Sequence, residues 1–156
     1  MRLGFSYIGL IMLIMLMIPN IVWSKNKPID YEKYVVKEKR SLALLEGIGE
    51  VLVTIIALIF KDFNIYEIKT RWILILGMAF FFMIIYELYW INYFRSEHRM
   101  KDMYRSYMGV PVAGATLPVL AFMLLGIYGK NIFMVVAVII LGIGHIGIHL
   151  NHMKDT

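Results

Sequence analysis

Five stretches of this chain, approximately residues 3–23, 42–60, 72–94, 110–128 and 131–150, are almost continuously apolar. A helix needs about 20 such residues to cross the hydrocarbon core of a bilayer. A water-soluble helix keeps a polar face opposite its apolar stripe, and runs of this length have no such face to offer water. A membrane β-barrel is also excluded, because its strands alternate polar and apolar residues in short segments. Each run is bounded by charge, proline or glycine. The sequence therefore predicts an all-α integral membrane protein, a bundle of five transmembrane helices in a single membrane domain covering residues 1–156. No internal repeat or low-complexity tract divides it. The interruption Tyr128-Gly129-Lys130-Asn131 is short enough to make the last two helices a tight antiparallel hairpin.

Composition removes several kinds of chemistry. The chain has no cysteine, which eliminates disulfides, thiolate metal sites, iron–sulfur clusters and cysteine nucleophiles. Neither a GxGxxG nor a GxxxxGK[ST] run occurs, so nucleotide binding has no motif behind it. No serine or threonine stands in a recognisable His–Asp pattern. The 12 methionines are spread through the chain, most of them in the apolar runs, where they pack or face lipid, and they do not gather into a thioether copper site. The formal net charge of +5 comes from bases flanking the spans. There each meets anionic headgroups at roughly 1 kcal/mol, so the expected partner is a lipid bilayer and not nucleic acid.

The first run is too long for the apolar core of a signal peptide, has only Met1 and Arg2 before it, and lacks a good small-x-small cleavage site. It reads as a retained helix. Residues 24–41, 95–109 and the tail carry eleven Lys and Arg, against five on the opposite side. By the positive-inside rule this predicts a multi-pass protein of the cell membrane with its N-terminus outside and its C-terminus in the cytoplasm. Residues 28–41 read as an amphipathic approach to the second span, with Asp30 as a helix cap. The stretch from Arg95 to Tyr107 reads as an interfacial amphipathic helix.

With that orientation, a rise of 1.5 Å per residue converts sequence position into depth. Glu46 and Glu50 then lie about 6 and 12 Å inside the cytoplasmic boundary, Glu87 about 12 Å and His145 about 9 Å, with His149 close to the surface. All the titratable residues within the spans occupy one leaflet. Glu46 and Glu50 are four apart and share a helix face, flanked by Ala43, Gly47, Thr54 and Ala57. Gly142, His145, His149 and His152 recur at three and four residues on the last span. Both stripes read as faces turned toward neighbouring helices, because lipid offers nothing to hydrogen-bond. The last-span glycines, Gly142, Gly144 and Gly147, read as places where helices pack closely. His98 and His152 taken singly read as solvated.

An uncompensated carboxylate at the bilayer centre costs roughly 2.5–3.5 kcal/mol on insertion scales, so the three must be neutralised by protons, a metal, histidinium or water. Glu46, Glu50, Glu87, His145 and His149 offer oxygen and nitrogen ligands suited to a divalent transition metal such as zinc, iron or manganese. Such a site would activate water or oxygen, or pass the metal on. The same residues could serve as a proton relay in coupled transport, for which a chain this short would act as a homo-oligomer. Tyr86, Trp90 and Tyr93 around Glu87 form an aromatic wall that could grip an amphiphile or flat cofactor. Against all of these stands a non-catalytic accessory or scaffold subunit, whose polar residues only fix helix packing at about 0.6 kcal/mol per contact.

Overall fold

The computed structural model of the chain describes residues 1–35, 38–66 and 71–155. Part of the approach to the second span (residues 36 and 37) and Lys69 of the basic count lie outside the described residues. The helices run α1 (Tyr7–Lys25), α2 (Glu32–Val35), α3 (Arg40–Ile59), α4 (Ile73–Phe94), α5 (Met100–Tyr104), α6 (Ala113–Tyr128) and α7 (Ile132–Asp155), with a 3-10 turn at Lys61–Phe63. Among the described residues there is no strand, only two isolated bridges. The architecture is an all-α membrane bundle. Four helices, α1, α3, α4 and α7, are long and apolar enough to cross a bilayer.

The fourth predicted span is the exception. α6 has 16 residues, about 24 Å, short of the roughly 30 Å core. Its expected first turn is lost because Pro111 disfavours helix at Val110, which pairs its backbone with Tyr107 instead. Met108, Gly109 and Val112 then take positive φ. α6 is nevertheless the most enclosed of the apolar helices, with Ala113, Leu117, Ala121 and Leu125 fully buried.

Packing follows the close-approach glycines. α3 lies along α7, α4 along α6, α6 against α7, and α1 rests on both α3 and α4. An ideal Cβ at Gly49 would sit 2.4 Å from the Leu141 Cα, and one at Gly144 2.3 Å from the Glu46 nitrogen. Only glycine permits the α3–α7 backbones this distance. The expectation for Gly144 is met. On α3 the stripe expected to face inward does so only in part: Ala57 is fully buried and Glu46 meets His145, but the rest is turned outward. Ala43, Gly47, Glu50 and Thr54 are exposed, and a Cβ at Gly47 would meet nothing within 4 Å. Gly49, on the adjoining face, carries the seam instead.

The ends are tied differently. At the amino-terminal end Ser6 Oγ caps α1 by accepting from Gly9 N at 2.9 Å. Asn64 Oδ1 accepts from Tyr7 N at 2.9 Å and its Nδ2 donates to the Phe5 carbonyl at 3.0 Å. Gly4 N donates to Ile59 O, and Lys61 N to Arg2 O. The Tyr128–Asn131 interruption is a tight turn, closed by Asn131 N donating to Gly126 O at 2.9 Å. At the opposite end Asp30 caps a different helix from the one it precedes: its Oδ1 accepts from Met100 N of α5 at 2.9 Å. The expected amphipathic helix over Arg95–Tyr107 contracts to the five residues of α5, with Met100, Met103 and Tyr104 buried.

Candidate metal centre

The α3–α7 seam brings the polar residues together. Because Gly144 has no side chain, its backbone lies against that of Glu46, and the next residue, His145, projects beside the carboxylate. His145 Nδ1 and Glu46 Oε1 form a hydrogen bond. Glu50, one turn along α3, completes a group in which one ligand atom each from Glu46, Glu50 and His145 lies within 4.8 Å of the others. Zinc takes nitrogen and oxygen ligands at about 2.0–2.2 Å, a geometry that modest side-chain rotation reaches from this spacing. The His145 and Glu46 side chains are each 23% accessible, and Glu50 is exposed on the outer face of α3. Two ionised carboxylates at that separation repel by about 3 kcal/mol at an effective dielectric of about 20. A cation between them, or the imidazolium of His145, removes the repulsion.

Two of the five predicted ligands stand outside this group. The His149 ring lies 4.4 Å from that of His145 and edge-on to Tyr104 at 4.9 Å, one turn beyond the cluster. Glu87 stands apart on α4, which packs on α6 and shares no extensive contact with α3. Among the described residues it makes no hydrogen bond or ion pair, and it is half-buried. Equal depth had suggested proximity, but Glu87 and Glu46 belong to different seams of the bundle.

The aromatic wall is filled by its own rings. Tyr86, Trp90 and Tyr93 are 1%, 4% and 1% exposed, and they meet edge-to-face, Tyr86 with Trp90 at 6.1 Å and Trp90 with Tyr93 at 5.5 Å. Asn20 Nδ2 donates to the Tyr86 hydroxyl at 3.1 Å and to Leu16 O at 2.7 Å, tying α1 to α4. The Tyr93 hydroxyl is buried without a hydrogen-bond partner among the described residues.

Sequence reasoning missed the other half of the polar end. His152, read as solvated, is 3% exposed. Its Nε2 lies 3.1 Å from Glu38 Oε1, and its ring stacks on Tyr104 with centroids 5.1 Å apart. The inward stripe on which its spacing from His149 placed it is thus the reading that holds, not the solvated one, and Glu38 and Tyr104 are the members that spacing did not find. The contribution of Tyr104 depends on where α5 docks, which no local pattern encodes.

Fold and cluster together define an all-α membrane bundle with a Glu/His group at the α3–α7 seam. No protein-family model matches the chain, and no curated protein or solved structure matches it.

Proposed function

We propose that this protein binds a divalent transition metal through Glu46, Glu50 and His145, in the cytoplasmic leaflet of the cell membrane. The observation that carries the reading is the convergence of two carboxylates and an imidazole from two helices within 4.8 Å. Nitrogen and oxygen donors suit zinc, iron or manganese. Three protein ligands leave at least one coordination position open, as in sites that activate water or exchange their ion, and unlike closed structural sites. The site then serves either metal-dependent chemistry on a lipid-like substrate or the transit of the metal itself. The excess of Lys and Arg at the α5 end of the bundle supports an orientation with that end in the cytoplasm, against anionic headgroups.

Zinc titration of the full chain in lipid nanodiscs tests the reading. Wild-type protein should bind about one zinc per chain, and Glu50→Gln should weaken binding at least tenfold with helicity unchanged. Equal binding by Glu50→Gln would return the carboxylate to a packing role.

A further inference from the structure

We infer that the Glu46–Glu50–His145 cluster is reached from the aqueous end of the bundle by a passage that has its mouth at Glu38 and His152 and is closed by the Tyr104 ring. The inference rests on the metal reading above and adds the route by which the ion arrives.

The open side of the cluster is no route for a cation. Glu50 lies on the outer face of α3 with Gly47 and Thr54 exposed one turn to either side, on a helix whose outward residues Ile48, Val51 and Ile55 are otherwise apolar. Next to lipid, an ion arriving from that side would have to cross hydrocarbon without its water, at a Born cost of many kcal/mol. Access must therefore run through the protein toward the nearer end.

In that direction α7 continues for more than two turns, and its imidazoles follow in file. His149 is 4.4 Å from His145 between ring centroids. Tyr104 is 4.9 Å from His149 and 5.1 Å from His152. His152 in turn meets Glu38 at 3.1 Å. Beyond it lies a cavity of about 10 Å3, bounded by Glu38, Lys39, Asn151, His152 and Asp155, a volume that admits one water-sized occupant. Its two carboxylates outnumber its one lysine, so the mouth favours a cation. Each step along the file is about one side chain long, and every residue except Tyr104 is a metal-ligand type.

Tyr104 is the obstruction. It is 4% exposed and its ring stands between the two imidazoles. Its carrier, α5, has five residues, far below the length at which a helix is stable by itself. α5 is held from outside by the Asp30 carboxylate on Met100 N and by the Tyr89 hydroxyl, which donates to Met103 O. Met100 and Met103 anchor α5 in the core, so the ring clears the file by turning about its own side-chain bonds while α5 stays docked.

Stopped-flow loading of apo protein in nanodiscs with Zn2+, followed by depletion of a fluorescent zinc chelator, tests the passage. Glu38→Gln and His152→Gln should each slow loading at least tenfold while final stoichiometry and Kd stay within twofold. Tyr104→Ala should speed it. Because Tyr104 is a core side chain, the two mouth variants decide the matter. Unchanged loading rates in both, with wild-type stoichiometry intact, would overturn the passage. So would a loss of affinity matching the loss of rate, which would make Glu38 and His152 ligands. A wild-type protein that takes up no zinc at equilibrium fails the metal reading instead, before any variant is compared.

Discussion

The two main helix seams solve the same problem with different side chains. Along α3–α7, Gly49 and Gly144 bring backbones together, and the polar groups beside them, Glu46 and His145, meet across the gap. Along α4–α6 the space is filled by aromatic and aliphatic bulk. Tyr89 packs over Gly114, Tyr86 and Trp90 interlock, and Glu87 is left on the flank without a partner among the described residues. Small residues thus decide where polar residues can find each other. A carboxylate in a bilayer becomes part of a site when a close backbone approach delivers a second polar group to it.

The largest effect should come from filling the gap. Gly144→Val places methyl groups where the Glu46 backbone stands. Backbone cannot rotate away as a side chain can, so the loss should reach or exceed the upper end of the usual 1–3 kcal/mol for overpacking. Gly47→Ala is the control: with open space beside it, it should gain up to about 1 kcal/mol from helix propensity. Unfolding in mixed micelles measures both, and equal losses would deny the seam its special role.

A middle-sized effect is expected on the other seam. Glu87 is half-buried on an apolar helix with no partner among the described residues, and a carboxylate at the bilayer centre costs roughly 2.5–3.5 kcal/mol. Glu87→Leu should therefore stabilise the protein by about 1 kcal/mol and leave zinc binding unchanged. A loss of zinc in this variant would join the two seams in one site.

The smallest effect lies at the amino-terminal end, where polar groups are structural. Burial pushes the Asp62 carboxyl up, but the Arg2 backbone and guanidinium hydrogen bonds outweigh it and hold the group below its ordinary range. A carboxylate lowered on folding contributes stability above its unfolded pKa of about 3.9 and loses it as pH falls through the folded value. Protection factors at Gly4 and Lys61, taken against the intrinsic exchange rate at each pH, should fall below about pH 4, and Asp62→Asn should abolish that pH dependence. Acid-insensitive protection in the wild type would show that the backbone bonds alone hold this end.

Much of this was legible in the sequence because a bilayer imposes a constraint that is linear along the chain. Apolar run length fixed four long helices to within a few residues, and rise per residue set the shared level of Glu46, Glu50 and His145. Direction around the helix was not legible in the same way. Depth does not distinguish Glu46 from Glu87, and a stripe of small residues does not say whether it faces a helix or lipid, as Gly47 and Gly49 show. The remaining misses have two causes: the shortened α6 follows from the local effect of Pro111 on Val110, while the Glu38 partner of His152 and the cap that Asp30 supplies to α5 are contacts between segments far apart in sequence.

Elemental analysis of the purified full chain tests the central claim most directly, with wild type beside Glu46→Gln/His145→Ala. Near-stoichiometric transition metal in the wild type, absent from a folded double variant, is the predicted result. Metal-free wild type after reconstitution with zinc, iron and manganese in turn would contradict it.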